Sequence, residues 1–201
     1  MLCGWRNKEL TLVCNDVIKE WEKRESLLCE PYHLVANLPY YVATNIILRA
    51  LEETHCSSIL VMIQKEVAQK FSAQVGDSNF SALSVLASTI SNCRILFDVP
   101  PECFDPAPKV TSSILWLDKK NSYIKDDKYK GFFTSKEEFN KFKSFLRVSF
   151  SAPRKTLIKN LKSQYSKELI LKYFHENEIV HTLRPHQLSI SYYHSLFRSV
   201  N

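Results

Sequence analysis

Glycine is scarce in this sequence: Gly4, Gly76 and Gly131 are all there are, and none belongs to a G-x-G pattern. A glycine-rich loop able to cradle phosphates is therefore missing from the 201 residues. No apolar run approaches the roughly 18 residues needed to cross a bilayer. The start, Met1-Leu2-Cys3-Gly4-Trp5-Arg6, lacks a secretory h-region, so a cytoplasmic protein that makes no use of membranes is expected. The six cysteines (Cys3, Cys14, Cys29, Cys56, Cys93 and Cys103) include no C-x-x-C pair, which argues against zinc and leaves reduced, mostly buried thiols as the expectation. His175, His181, His186 and His194 fall close together in sequence without regular ligand spacing, so no metal is expected.

What remains is an ordinary folded composition, 45% hydrophobic and 24% charged, which excludes disorder and a disulfide scaffold. The charge is unevenly spread. Residues 1–118 hold ten Lys/Arg against fourteen Asp/Glu, a net −4, whereas 119–201 hold seventeen against seven, a net +10. Such asymmetry suggests a module for a polyanion.

Strand-like and helix-like segments alternate through the first part. Leu10-Thr11-Leu12-Val13-Cys14 is β-prone and ends at Asn15-Asp16; His33-Leu34-Val35-Ala36 is a second strand. Thr44 to Glu53 reads as a helix with Thr44 as N-cap, and Ile59 to Ile63 as a strand buried on both faces, the mark of a parallel sheet. Helices are expected over 66–71 and 82–90, then strands over 94–99 and 112–117. With no long helix between them, these last two strands are candidates for antiparallel pairing. Lys119 to Lys130 is polar and reads as a linker. Beyond it the pattern is helical: Phe139, Phe142, Phe145, Leu146 and Phe150 share one face of a helix over 136–150. Pro153 is placed in the first turn of a helix running to about Leu161, and two more helices span 168–174 and 185–197.

Asn37-Leu38-Pro39-Tyr40 follows a strand, where ligands bind in open α/β sheets. An exocyclic adenine amine is a weak nucleophile until acceptors hold its hydrogens. The Asn37 side-chain oxygen and a backbone carbonyl beside Pro39 are suited to that, and Tyr40 to stacking on a flipped base. The four residues also fit a plain strand-ending turn. A second segment, Val99 to Ser113, packs prolines at 100, 101, 106 and 108 between two strands and displays Phe104 on a stiff loop, suited to a base face or to a structural corner. Lys155, Lys159 and Lys162, spaced i, i+4, i+7, share one helix face and suggest phosphate contacts, or a solvated surface.

With Gln64-Lys65-Glu66-Val67, Ser81-Ala82-Leu83-Ser84-Val85, Arg154-Lys155-Thr156-Leu157 and Arg184-Pro185 added in order, the sequence resembles the ribosomal RNA adenine dimethyltransferases over nearly all of 8–201. The resemblance implies a Rossmann-like α/β methyltransferase sheet whose N-terminal strands are missing, residues 1–118, then a linker, 119–130, and a small all-α RNA-binding domain, 131–201. It implies S-adenosyl-L-methionine as methyl donor and N6,N6-dimethylation of adjacent adenines in 16S small-subunit ribosomal RNA by a monomer. Asn37, Leu38, Pro39 and Tyr40 would form the catalytic segment, with Asn37 also touching the cofactor. Tyr40 and Phe104 would frame the adenine, and Asp16 would accept a hydrogen bond from the cofactor's adenine amine. For Lys65 and Glu66 a solvated helix start competes with a role in the site. Family members also carry an N-terminal Gly-rich loop on the cofactor, which these residues do not supply. A non-catalytic RNA-binding or ribosome-assembly factor is therefore the rival reading, and a DNA adenine methyltransferase a weaker one.

Overall fold

The computed structural model describes residues 4–6, 10–23, 26–120 and 132–201. β1 (Gly4–Arg6) and β2 (Thr11–Val13) pair as an antiparallel ribbon separate from the main sheet, with Leu12 and Val13 exposed. α1 (Val17–Glu22) follows, its first turn closed by Asp16, whose carboxylate accepts from the Ile18 and Lys19 amides.

β3 (Tyr32–Asn37), α2 (Tyr40–Glu52), β4 (Cys56–Gln64), α3 (Lys65–Ser72), α4 (Ala82–Ile90), β5 (Ser91–Val99) and β6 (Ser112–Lys119) build the α/β part. The sheet order is β3-β4-β6-β5, with β3 parallel to β4 and β6 antiparallel to both of its neighbours. The expected antiparallel pairing of the last two strands is thus present. β4 is not buried on both faces, however. Ile59, Val61 and Ile63 are enclosed under the helices, whereas Ser58, Leu60 and Met62 are only partly covered, and Val35 on that second face of β3 is 71% exposed. Burial along the run therefore alternates with period two, and the apolar Leu60 and Met62 lie on the partly covered face.

α2 begins at Tyr40, four residues before the expected Thr44 cap. Pro39 occupies the cap position with φ −58°, has no amide hydrogen needing a partner, and its carbonyl accepts from the Val42 and Ala43 amides. The Ser81–Ser84 pair proves structural: Ser84 Oγ accepts from the Ser81 amide and donates to the Lys70 carbonyl of α3, so the α4 start is tied to the preceding helix.

α5 (Lys136–Ser149), α6 (Leu157–Leu161), α7 (Lys167–Glu176) and α8 (Ile190–Val200) form the helical part. The aromatic stripe is core as expected: Phe139, Phe142, Phe145 and Leu146 are buried, and Phe150 is half-buried against Tyr193. Pro153 does not open α6. Thr156 caps it instead, and the buried Asn160 amide reaches back to the Ser149 and Ala152 carbonyls. Likewise Pro185 starts only a short 3-10 turn, and Ser189 caps α8. The two parts meet along α4: Thr89 Oγ1 lies 2.8 Å from His194 Nε2 of α8, and Phe80 packs on Phe150.

Of the expected linker, Lys119 is the last residue of β6, its ammonium donating to the Glu53 carbonyl; residues 121–130 lie outside the described ones. The thiols depart from expectation too. Cys56 is buried and Cys93 half-buried, but Cys14, Cys29 and Cys103 are exposed, while Cys3 lies outside the described residues. Among the described residues no His, Cys, Asp and Glu cluster is able to hold a metal, and no helix is long and apolar enough to cross a membrane.

Candidate active site

Because β3, β4 and β5 run in one direction and β6 returns, the last residues of the first three and the first residue of the fourth share one rim of the sheet. Asn37 ends β3 opposite Met62, Gln64 ends β4 opposite Ser112, and Val99 ends β5 opposite Ser112 from the other side. The three segments singled out in the sequence, around Asn37, Gln64 and Phe104, therefore converge on this rim.

Within the first segment, Leu38 is buried and its amide donates to the Met62 carbonyl (3.2 Å), which pins the turn to β4. Asn37 and Pro39 are exposed, and Tyr40 is 37% exposed. The Tyr40 phenol oxygen lies 2.9 Å from Ser112 Oγ at the start of β6. Sequence reasoning missed Ser112, since the pairing joins residues 72 apart in the chain.

The proline-rich loop is held at both ends. Asp98 accepts from Lys65 Nζ (2.6 Å) and from Ser113 Oγ (2.7 Å), and the Lys65 amide donates to the Thr111 carbonyl. The Lys65 and Ser113 hydrogen bonds keep the Asp98 carboxyl below its usual range. Lys65 thus clamps the loop that carries Phe104, while Glu66 is exposed at the first turn of α3. Phe104 itself is half-buried, just after a 3-10 turn at Pro101–Cys103, and its amide donates to the Pro101 carbonyl.

Asp16 sits elsewhere in the topology. It follows the separate ribbon, is exposed, and already uses one carboxylate oxygen to cap α1, so it does not end a strand of the main sheet. Lys155, Lys159 and Lys162 are all exposed but do not share a helix face: Lys155 precedes the cap, Lys159 is inside α6 and Lys162 is its C-cap. The helix is only five residues long because the chain turns at Ser163 and Gln164, so i, i+7 spacing has no helix to act on.

A family model described as ribosomal RNA adenine dimethylase matches residues 5–201. The chain belongs to the ribosomal RNA adenine dimethylase family. Ribosomal RNA small subunit methyltransferase A of Campylobacter concisus is 45% identical over 192 residues, which are 96% of this chain and 68% of that protein. The Aliarcobacter butzleri protein of the same name is 46% identical over 192 residues, covering 95% and 68%. The chain thus spans about two thirds of the length of these family members. Among solved structures, a dimethyladenosine transferase from Plasmodium falciparum superposes with a TM-score of 0.68 at 23% identity, covering 85% of this chain and 67% of that one. The 23S rRNA methyltransferase ErmE gives 0.64 at 18%, covering 87% and 67%. At those identities both establish the shared Rossmann-like α/β fold alone.

Proposed function

We propose that this chain serves N6,N6-dimethylation of adjacent adenines near the 3′ end of 16S ribosomal RNA, acting in the cytoplasm as a monomer on the small subunit or its precursor. The observation that carries the reading is the convergence of Asn37–Tyr40 and the Phe104 loop on one sheet rim, in a chain whose relatives are named as small-subunit rRNA methyltransferases. The non-catalytic RNA-binding alternative finds no support in those relatives.

In this reading the exposed Asn37 side-chain oxygen accepts one N6 hydrogen of the target adenine. The second acceptor is the Leu38 carbonyl, because the Pro39 carbonyl is engaged by the Val42 and Ala43 amides. Two acceptors on one amine favour a pyramidal nitrogen with an available lone pair. Tyr40 and Phe104 supply the aromatic faces for the unstacked base. Residues 131–201 supply phosphate contacts, for which Lys155, Lys159 and Lys162 remain the candidates as an exposed patch around α6 rather than a helix face.

S-adenosyl-L-methionine brings the methyl group when bound. The residues present fit only part of it: Asn37 at the reacting end, and Asp16 through the carboxylate oxygen that does not cap α1. No glycine-rich loop for the rest of the cofactor occurs in the sequence, so weak cofactor affinity is expected of these residues alone. The test is mass spectrometry of an unmethylated 16S fragment incubated with the chain, with cofactor raised to saturation. Dimethyladenine supports the reading; an unmodified fragment refutes it.

A further inference from the structure

Tyr40 follows β3, yet its hydroxyl meets Ser112 on β6, and β4 lies between those strands. Neighbouring strands are about 4.8 Å apart, so β3 and β6 are separated by roughly 10 Å. The tyrosine side chain therefore lies across the end of β4, above Gln64, and a shorter polar residue at position 40 would not reach. Ser112 is 1% exposed and Tyr40 is its side-chain partner, whereas Tyr40 as a residue stays 37% exposed. An aromatic ring fixed at both ends, Cα on α2 and hydroxyl on β6, has lost the freedom to rotate about χ1 that an exposed tyrosine normally retains.

Ser112 is also the residue at which the Phe104 loop re-enters the sheet. One hydrogen bond thus joins the two segments that bear aromatic rings. Its neighbour Ser113 binds Asp98, which in turn binds Lys65, so both ends of the loop and the β4–α3 junction are fastened to the same rim.

Resting on the proposed function, we infer that Ser112 is a positioning residue: it clasps Tyr40 across the end of β4 and sets the spacing of the two aromatic walls between which the adenine is held. The clasp acts on base placement and not on RNA capture, since affinity for the strand comes chiefly from phosphate contacts elsewhere. Placement errors of the order of 1 Å are costly to rate without being costly to binding.

The experiment is a double-mutant cycle with Ser112→Ala and Tyr40→Phe in the full chain, each variant first shown by circular dichroism to fold. Single-turnover methylation at saturating cofactor is measured beside RNA binding. The expectation is that each single variant slows the rate about ten- to a hundredfold with RNA affinity within about twofold of the parent, and that the double variant is no slower than the worse single one. Rate losses that multiply, or an unchanged rate in Ser112→Ala, overturn the inference. A parent chain that never methylates sinks the functional reading instead. To keep the two failures apart, 3-fluorotyrosine is placed at position 40 and its fluorine resonance recorded in the same samples. A resonance that does not move on Ser112→Ala overturns the clasp whatever the activity.

Discussion

The Trp21 indole nitrogen donates to the buried Glu53 carboxylate at 2.8 Å, and this bond ties α1 to the C-terminal end of α2. Glu53 also accepts from Ser26 Oγ, the Leu27 amide and the Tyr32 hydroxyl, while Arg49 donates to the Trp21 carbonyl. One carboxylate thus gathers Trp21, Ser26, Leu27 and Tyr32 at the end of the sheet opposite the candidate site. Burial pushes its pKa up, but the hydrogen bonds from Ser26, Tyr32, the Leu27 amide and Trp21 outweigh it and hold the carboxyl below 4.5.

Replacement Glu53→Gln leaves the shape but sets an amide NH2 against donors that need an acceptor. A loss of about 3 kcal/mol in unfolding free energy is expected, measured by urea titration, because charged hydrogen bonds are lost and, whichever way the amide is turned, either Trp21 and Tyr32 or Ser26 and Leu27 face an NH2 instead of an acceptor. The pH dependence has a definite sign. A depressed carboxylate pKa contributes stability that is present above the unfolded value of 4.5 and is lost as pH falls below it through the folded value. The acid limb of the stability profile should therefore be shallower in Glu53→Gln than in the parent.

His194 gives a second pH signature, at the junction of the two parts. Its ring packs on Phe132 and Phe142, and burial, followed by the charges of Arg198 and Lys120, holds its pKa down to about 4. Thr89 Oγ1 donates to the Val85 carbonyl, so its contact with His194 requires a proton on Nε2, while burial and the neighbouring cations are what keep the ring neutral. A depressed histidine pKa stabilises the fold fully above the unfolded value of 6.5 and progressively less as pH falls to 4, since the unfolded chain takes up the proton first. Between pH 7 and 4 this amounts to about 2–3 kcal/mol. His194→Gln retains an N–H donor and removes the titration, so the slope between those limits should flatten in thermal melts taken across pH. Equal slopes would show that His194 is not the titrating group.

Local signals made most of this fold legible. The α4 helix and the Phe139–Phe145 stripe carry their period in consecutive residues and formed where expected; the β4 apolar run formed a strand where expected but carries no period, and its second face proved only partly covered. Proline misled twice, at Pro153 and Pro185, because both sit in turns just ahead of better caps, Thr156 and Ser189. It was undervalued at Pro39, where it starts α2. The convergence of the motifs on one rim followed from strand direction. What stayed hidden was the pairing of side chains across the fold: Tyr40 with Ser112, Lys65 with Asp98, Glu53 with Trp21. Sequence separations of 72, 33 and 32 leave no periodic trace, since those contacts are decided by how helices and strands meet in the fold and not by any local preference.

Asn37→Ala tests the catalytic assignment. The side chain is exposed at the end of β3, so its removal should change stability little and leave RNA affinity near the parent value. The amide is proposed to act on the adenine amine only after the base has left its stack. Its loss should then appear in the chemical step, as a fall of about a hundredfold or more in single-turnover rate, the scale of removing one aligned hydrogen-bonding group. An unchanged rate would take Asn37 out of the site.

The lysines around α6 make a separate prediction, about binding alone. Lys155, Lys159 and Lys162 are exposed, and Thr156, Leu157 and Asn160, which hold the local backbone, are left untouched by their replacement. Exchanging all three for Ala should weaken binding uniformly across RNA sequences, because phosphate contacts carry no base information. It should also flatten the salt dependence: about 0.7–0.9 in the slope of log affinity against log salt is lost per phosphate contact, or roughly 2–2.7 for three. Since the three do not share one helix face, single replacements help to apportion the effect. A slope that falls by about 0.7–0.9 for only one or two of them would map the strand's path over α6. If affinity and slope both stay at parent values, the RNA runs elsewhere on the basic part, and the exposed Arg147, Arg154 and Arg184 become the positions to replace.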